Sequence, residues 1–247
     1  MKTLFFSLLA VATIATAMPA PVAAQNSPPP EDNPLQARRR AQARAQQTPP
    51  ATPATRADQI RAVGCQVTAN AAPLEALLAT APYSAQETTA AEALAPLLRQ
   101  CNSNRAVSAP PVALRGLVAE ALVKARFATP QAARTPALGA KPLLDVAAAT
   151  TRTDAATLVT SYGMADCMGA TQGDQVRALL ALDQGTPAEA TFFNTTLGPF
   201  LGRCAATAGG SGQINVGAQT LRGTMAEALY RWSVVQRDGP SSPWARP

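Results

Sequence analysis

Four cysteines, Cys65, Cys101, Cys167 and Cys204, hold the most reactive side chains in the sequence, in two pairs spaced 36 and 37 positions apart. Thiols in such pairs serve as metal ligands, as redox couples or as structural bridges. The first two uses lack their usual parts, because there is no Cys-x-x-Cys and the chain contains no histidine to complete a ligand set. In an exported chain four cysteines read as two disulfides, with three connectivities open to them.

The missing histidine closes further routes. Ser-His-Asp and Cys-His catalysis, imidazole metal sites and a histidine base poised near neutral pH are all excluded. Carboxylates remain: Glu92, Glu120, Asp166, Glu189 and Glu227 could supply the acid and base that glycan cleavage needs, although most of them read as helix caps or surface pairs and no two stand out. Gly209-Gly210-Ser211-Gly212 lacks the Gly-Lys-Ser/Thr ending of a P-loop and misses G-x-S-x-G, so it reads as a connection. Asn194-Thr195-Thr196 is a glycosylation sequon placed inside an expected helix. No cofactor and no metal are expected.

Cationic chemistry is concentrated near the N-terminus. Met1-Lys2, the apolar stretch Leu4 to Ala17 and the small residues Val22-Ala23-Ala24 form a secretory signal over 1–24, cut before Gln25. Without Lys2 the chain carries a net +5, of which +3 falls in the segment before residue 58. That proline-rich, alanine-rich stretch, 25–54, has too few large apolar residues to offset the entropy of ordering and reads as a disordered tail. Its arginines Arg38, Arg39, Arg40 and Arg44 are candidates for contact with an anionic envelope polymer, against the plainer reading of a solubilising linker. Without interleaved aromatics no nucleic acid is expected as partner.

The elements that position these residues emerge when the cysteines serve as rulers. Glu75-Ala-Leu-Leu-Ala and Arg177-Ala-Leu-Leu-Ala both begin ten residues after the first cysteine of a pair. Ser84-x-x-Glu87 and Thr186-x-x-Glu189 both lie nineteen after it and have the form of capping boxes. Leu94-x-Pro96-Leu97-Leu98-x-x-Cys101 answers Leu197-x-Pro199-Phe200-Leu201-x-x-Cys204. Leu114-Arg-Gly-Leu-Val-Ala-Glu-Ala-Leu122 answers Leu221-Arg-Gly-Thr-Met-Ala-Glu-Ala-Leu229. The sequence therefore reads as an internal repeat, with copies at 55–127 and 153–237, a linker at 128–152 and a C-terminal tail at 238–247. The repeat favours pairing Cys65 with Cys101 and Cys167 with Cys204, each closing a loop worth on the order of 4 kcal/mol by chain entropy.

Alanine richness and the absence of hairpin signals make the fold class all-α, with about four helical pieces per copy. The first carries the first cysteine, the second the Ala-Leu-Leu-Ala stretch, and the third runs from the capping box to the second cysteine. An interior proline is expected to kink the third piece or restart it there. The fourth spans about 111–126 and 217–236. Its Glu120 and Glu227 precede Lys124 and Arg231 by four residues, the order of a surface pair. Gly116, Val123 and Phe127, with Gly223, Tyr230 and Val234, form a second apolar face on it. Interior glycine costs a helix about 1 kcal/mol, which points to the two fourth helices packing on each other or on the opposite copy, against the plainer reading of a helix sandwiched within its own copy. Trp244 is expected to fold back onto the core.

These features describe an exported, periplasmic or secreted, bacterial helical protein without a membrane span after signal cleavage. The function expected is non-catalytic binding of an unknown protein or anionic envelope polymer, as an inhibitor, chaperone or scaffold, through a groove between copies with Arg115 and Arg222 at its rim. The alternative is a carboxylate-dependent envelope glycan hydrolase.

Overall fold

The computed structural model describes residues 55–103, 107, 109–129, 143–144, 146, 155–209 and 216–244, and every regular element among them is helical. The signal segment, the tail with Arg38, Arg39, Arg40 and Arg44, most of the linker and Gly210 to Gly212 lie outside the described residues.

The first four helices are α1 (Arg56–Ala69), α2 (Ala72–Ala79), α3 (Ala85–Gln100) and α4 (Pro111–Arg126). The next are α5 (Ala155–Thr171), α6 (Gly173–Ala181), the composite α7 and α8 (Ala218–Asp238), where α7 joins Pro187–Phe192, a π-helical turn Phe193–Leu197, and Gly198–Thr207. Capping sets several of the starts. Thr55 and Asp58 form a reciprocal box at α1. At α3 and α7 the Ser84 and Thr186 hydroxyls accept from the Glu87 and Glu189 N–H groups at 3.1 and 3.3 Å. The return bonds differ from the expected box: the glutamates accept from the residue before the cap, Tyr83 and Gly185, both at 2.6 Å. Those two residues share a left-handed turn, φ 63° and 77°, so the N–H points back at the carboxylate.

The disulfides are Cys65–Cys101 and Cys167–Cys204, with Cα atoms 5.8 and 5.5 Å apart. They tie α1 to the end of α3 and α5 to α7, as the cysteine spacing favours. The odd residue in the longer pair is visible in α7. Buried Ala91 and Leu94 are separated by two residues, whereas buried Phe193 and Leu197 are separated by three, Asn194 to Thr196. In a regular helix one added residue turns everything after it by about 100°. The π turn, just ahead of Pro199, absorbs it, so Leu201 and Cys204 still face inward. Pro96, by contrast, sits inside a continuous α3. The sequon Asn194 lies on the exposed side of the π turn.

Helices α4 and α8 are the central pair. Helix α4 packs on α1 and α2, α8 on α5 and α6, and the two pack on each other. Both are buried nearly all round, and one contiguous apolar cluster runs through all eight helices' contacts, from Val63 and Leu74 to Tyr230 and Val234. Trp244 folds back, 9% exposed, edge-on to Tyr230, which in turn stands edge-on to Phe127. None of the described helices is long and apolar enough to cross a membrane. Two disulfides fit an oxidising, non-cytoplasmic compartment.

Candidate functional site

The repeated Leu-Arg-Gly…Glu-Ala-Leu stretch meets itself where α4 crosses α8. A methyl group on Gly116 would stand 2.6 Å from the Gly223 Cα, and one on Gly223 would stand 3.0 Å from the Gly116 Cα. Only glycine on both helices lets the backbones touch.

That approach brings each neighbouring arginine to the other helix's glutamate. Arg222 donates from Nε and Nη2 to Glu120 at 3.0 and 2.7 Å, a two-pronged pair. Arg115 likewise donates from Nε and Nη2 to Glu227. Each guanidinium also reaches the last turn of the short helix beside it. Arg115 donates to the Leu77 and Leu78 carbonyls at 2.8 and 3.2 Å, and Arg222 to those of Leu179 and Leu180 at 3.1 and 3.0 Å. These carbonyls lie at the negative end of a helix, a place that favours a cation; those of Leu77 and Leu179 also accept from the Thr80 and Leu182 N–H groups. The capping glutamates complete the set, Glu189 2.8 Å from Arg222 and Glu87 3.5 Å from Arg115.

The rim placement expected for Arg115 and Arg222 is therefore corrected. They are 0% and 1% exposed, since a guanidinium with five donors satisfied by carboxylates and carbonyls is held inside the fold. The surface placement of Glu120 and Glu227 is corrected as well. Both pair with the residue four positions on, Lys124 at 2.7 Å and Arg231 at 2.5 Å, yet they are 3% and 1% exposed. Asp166 joins the same interior, accepting from Arg231 at 3.3 Å and from the Leu143 N–H at 2.6 Å, which pins the linker at that point. Glu92 alone of the five carboxylates considered is exposed.

Charge balance sets the protonation of the network. Burial pushes the Glu227 carboxyl up, but Arg115 and Arg231 outweigh it and hold it below the ordinary glutamate range. Glu120 is held low in the same way by Arg222 and Lys124. At Glu87 and Asp166 burial wins, and both carboxyls lie above their ordinary values. Burial also pushes the Tyr162 phenol well up, with Glu227 adding to it.

A cleft of about 350 Å³ opens above this interface, between the N-terminal ends of α4 and α8. Ala109, Pro110, Val112 and Ala113 form one wall, and Gln219, Thr220 and Thr224 the other. Arg56 and Gln59 reach in from α1, and Tyr162 and Glu227 form the floor. Neither α4 nor α8 has a side-chain cap at its start. Half-buried Arg56 donates from Nε to Gln184 at 2.7 Å and has no carboxylate within 4 Å among the described residues. Burial lowers its pKa, Glu120 opposes that, and Arg222 adds to it. The Tyr162 hydroxyl, 2% exposed, makes a single long bond of 3.4 Å to Glu227.

Sequence reasoning expected a groove between copies but did not reach Arg56 or Tyr162 as its lining. The signal available was the second apolar face with its glycines, which placed the crossing but not the space above it. Among the described residues no group of three acidic or cysteine side chains is arranged to hold a metal ion. Comparison with known proteins finds no matching family model, no matching curated protein and no matching solved structure.

Proposed function

We propose that this is an exported, non-catalytic helical binding module of the bacterial cell envelope, periplasmic or secreted, that binds through the cleft between α4 and α8. One observation carries the reading: the single carboxylate among the described residues that line the cleft, Glu227, is committed to two buried guanidiniums. A carboxylate held ionised and accepting four hydrogen bonds is a poor general acid, and a hydrolase would need a second carboxylate across the cleft. Arg56 and a phenol raised well above its usual range are likewise poor proton shuttles near neutral pH. Such a lining suits recognition rather than proton transfer. The glycan hydrolase reading has correspondingly less support.

Affinity capture from an envelope extract tests this. The chain from Gln25 is compared with the chain from Thr55 and with full-length Ala113→Trp, which fills the cleft, each at low and high salt. Capture by both lengths that resists salt and is lost in Ala113→Trp is expected. Capture by the longer chain alone, abolished by salt, would move binding to Arg38, Arg39, Arg40 and Arg44 and overturn the cleft as the binding surface.

A further inference from the structure

We propose that the cleft takes a small organic monocarboxylate, its carboxylate at Arg56 and the starts of α4 and α8, its apolar body along Ala109 to Ala113. The proposal rests on the binding-module reading and names the ligand class of the same site. Three independent features of the cavity converge on it.

The first is the cation. Arg56 occupies the first turn of α1, where the helix dipole disfavours a positive charge, and it is half-buried, bonded through Nε to Gln184, with no carboxylate within 4 Å among the described residues. A carboxylate presented to its Nη groups would supply the missing partner in two-pronged geometry. The second is the pair of helix ends. In the first turn of α8 the Ala218, Gln219 and Thr220 N–H groups have no protein acceptor among the described residues, since Gly217 offers no side chain and the first intrahelical bond starts at Leu221. In α4 the proline at the first helical position leaves Val112 as the first N–H facing the same space. The third is the floor. The Tyr162 hydroxyl is almost fully buried yet bonded only at 3.4 Å, longer than an ordinary O–H···O bond, so a ligand acceptor nearby would improve on its present partner.

Charge decides the valence. Among the described residues that line the cleft, Arg56 is the one guanidinium, and the Glu227 charge is already matched by Arg115 and Arg231. A monoanion is balanced one for one by Arg56, with the helix ends adding to it, whereas a dianion such as phosphate has one lining cation to balance two charges. The volume, about 350 Å³, is at the small end for ligand pockets, and the Ala-Pro-Val-Ala wall is suited to a short apolar chain.

The test uses the disulfide-bonded full-length protein and three probes, sodium hexanoate, hexanamide and inorganic phosphate, followed by backbone amide NMR. Hexanoate should give saturable shifts at Val112, Gln219 and Thr220, and hexanamide and phosphate should not. Arg56→Gln should weaken hexanoate by about tenfold or more, as loss of a charge-assisted hydrogen bond implies. Gln219→Glu should abolish the shifts while raising the melting temperature, because an acid in the first turn stabilises a helix but repels the ligand; folding and binding then move in opposite directions. Equal binding of hexanoate and hexanamide, tighter binding of phosphate, an unchanged Arg56→Gln, or no saturable shift would each overturn the ligand class. If that happens while envelope capture still depends on the open cleft, the binding-module reading stands without it; loss of both removes the reading too.

Discussion

Glu120 and Glu227 show how one spacing can carry two meanings. Four residues ahead of a basic side chain, each reads as half of an exposed helix pair, and the pair does form. Both carboxylates are nevertheless buried, because their main partners, Arg222 and Arg115, lie on the other central helix. Local spacing was legible in the sequence; a partner more than 100 positions away was not. The pH response follows from the same residues. Glu227 and Glu120 have folded pKa values below the ordinary glutamate value of 4.5, so their contribution is complete above it and drains as pH falls through the folded values. Glu87 and Asp166 have raised folded values, so they bind protons more tightly when folded and add stability as pH falls through those values. The melting temperature should therefore rise as acidification protonates Glu87 and Asp166 in the folded state, and fall again at lower pH, below the ordinary glutamate value of 4.5, as Glu227 and Glu120 take up protons. A calorimetric series from neutral to acid that declined monotonically would show that Glu87 and Asp166 gain no protons before the other two lose stability.

At the scale of the element, the two central helices and α7 yield opposite lessons. The glycines of α4 and α8 were legible, since a second apolar face with an interior glycine has few other uses, and the structure sets Gly116 against Gly223. Gly116→Ala should destabilise by about 1–3 kcal/mol through overpacking, reversing the usual gain from removing a helical glycine. Gly64→Ala on α1, where a methyl group would meet nothing within 4 Å, should instead stabilise by about 0.5–1 kcal/mol. Urea denaturation of the pair checks both signs. The extra residue of α7 was legible only as a difference of one between cysteine spacings, without its location. Deleting exposed Thr195 should convert the π turn to a regular helix with Cys204 still in reach of Cys167, whereas deleting Thr89 from α3 should rotate Leu94, Leu98 and Cys101 off the core. Disulfide formation on oxidative refolding distinguishes the two: retention in both or loss in both would contradict this account of the insertion.

For the whole molecule, the fold class, the cysteine pairing and the meeting of the two fourth helices were legible; a groove between copies was expected, but not the residues that line the cleft. Periodicity identifies which faces are covered, while a cavity is the space left where covered faces diverge. The two bridges also differ in a way the symmetry of the sequence conceals. Cys65 is exposed and Cys101 half-buried, whereas Cys167 is half-buried and Cys204, on the inner face of α7, is 1% exposed. Thiol–disulfide exchange depends on access to a sulfur. Graded reduction under native conditions should open Cys65–Cys101 first, read by mass spectrometry of alkylated peptides; simultaneous opening would mean that both bridges are reached only through global unfolding.

The reciprocal arginine–glutamate exchange also has a bearing on time. As the chain is synthesised, Arg115 emerges 112 positions before Glu227. The earlier half therefore cannot complete its own interior: its guanidinium must stay hydrated until the last long helix exists. Contacts of such sequence separation slow folding by comparison with local helical ones. The molecule should thus remain open until its C-terminal helix arrives, and should close around both glutamates together.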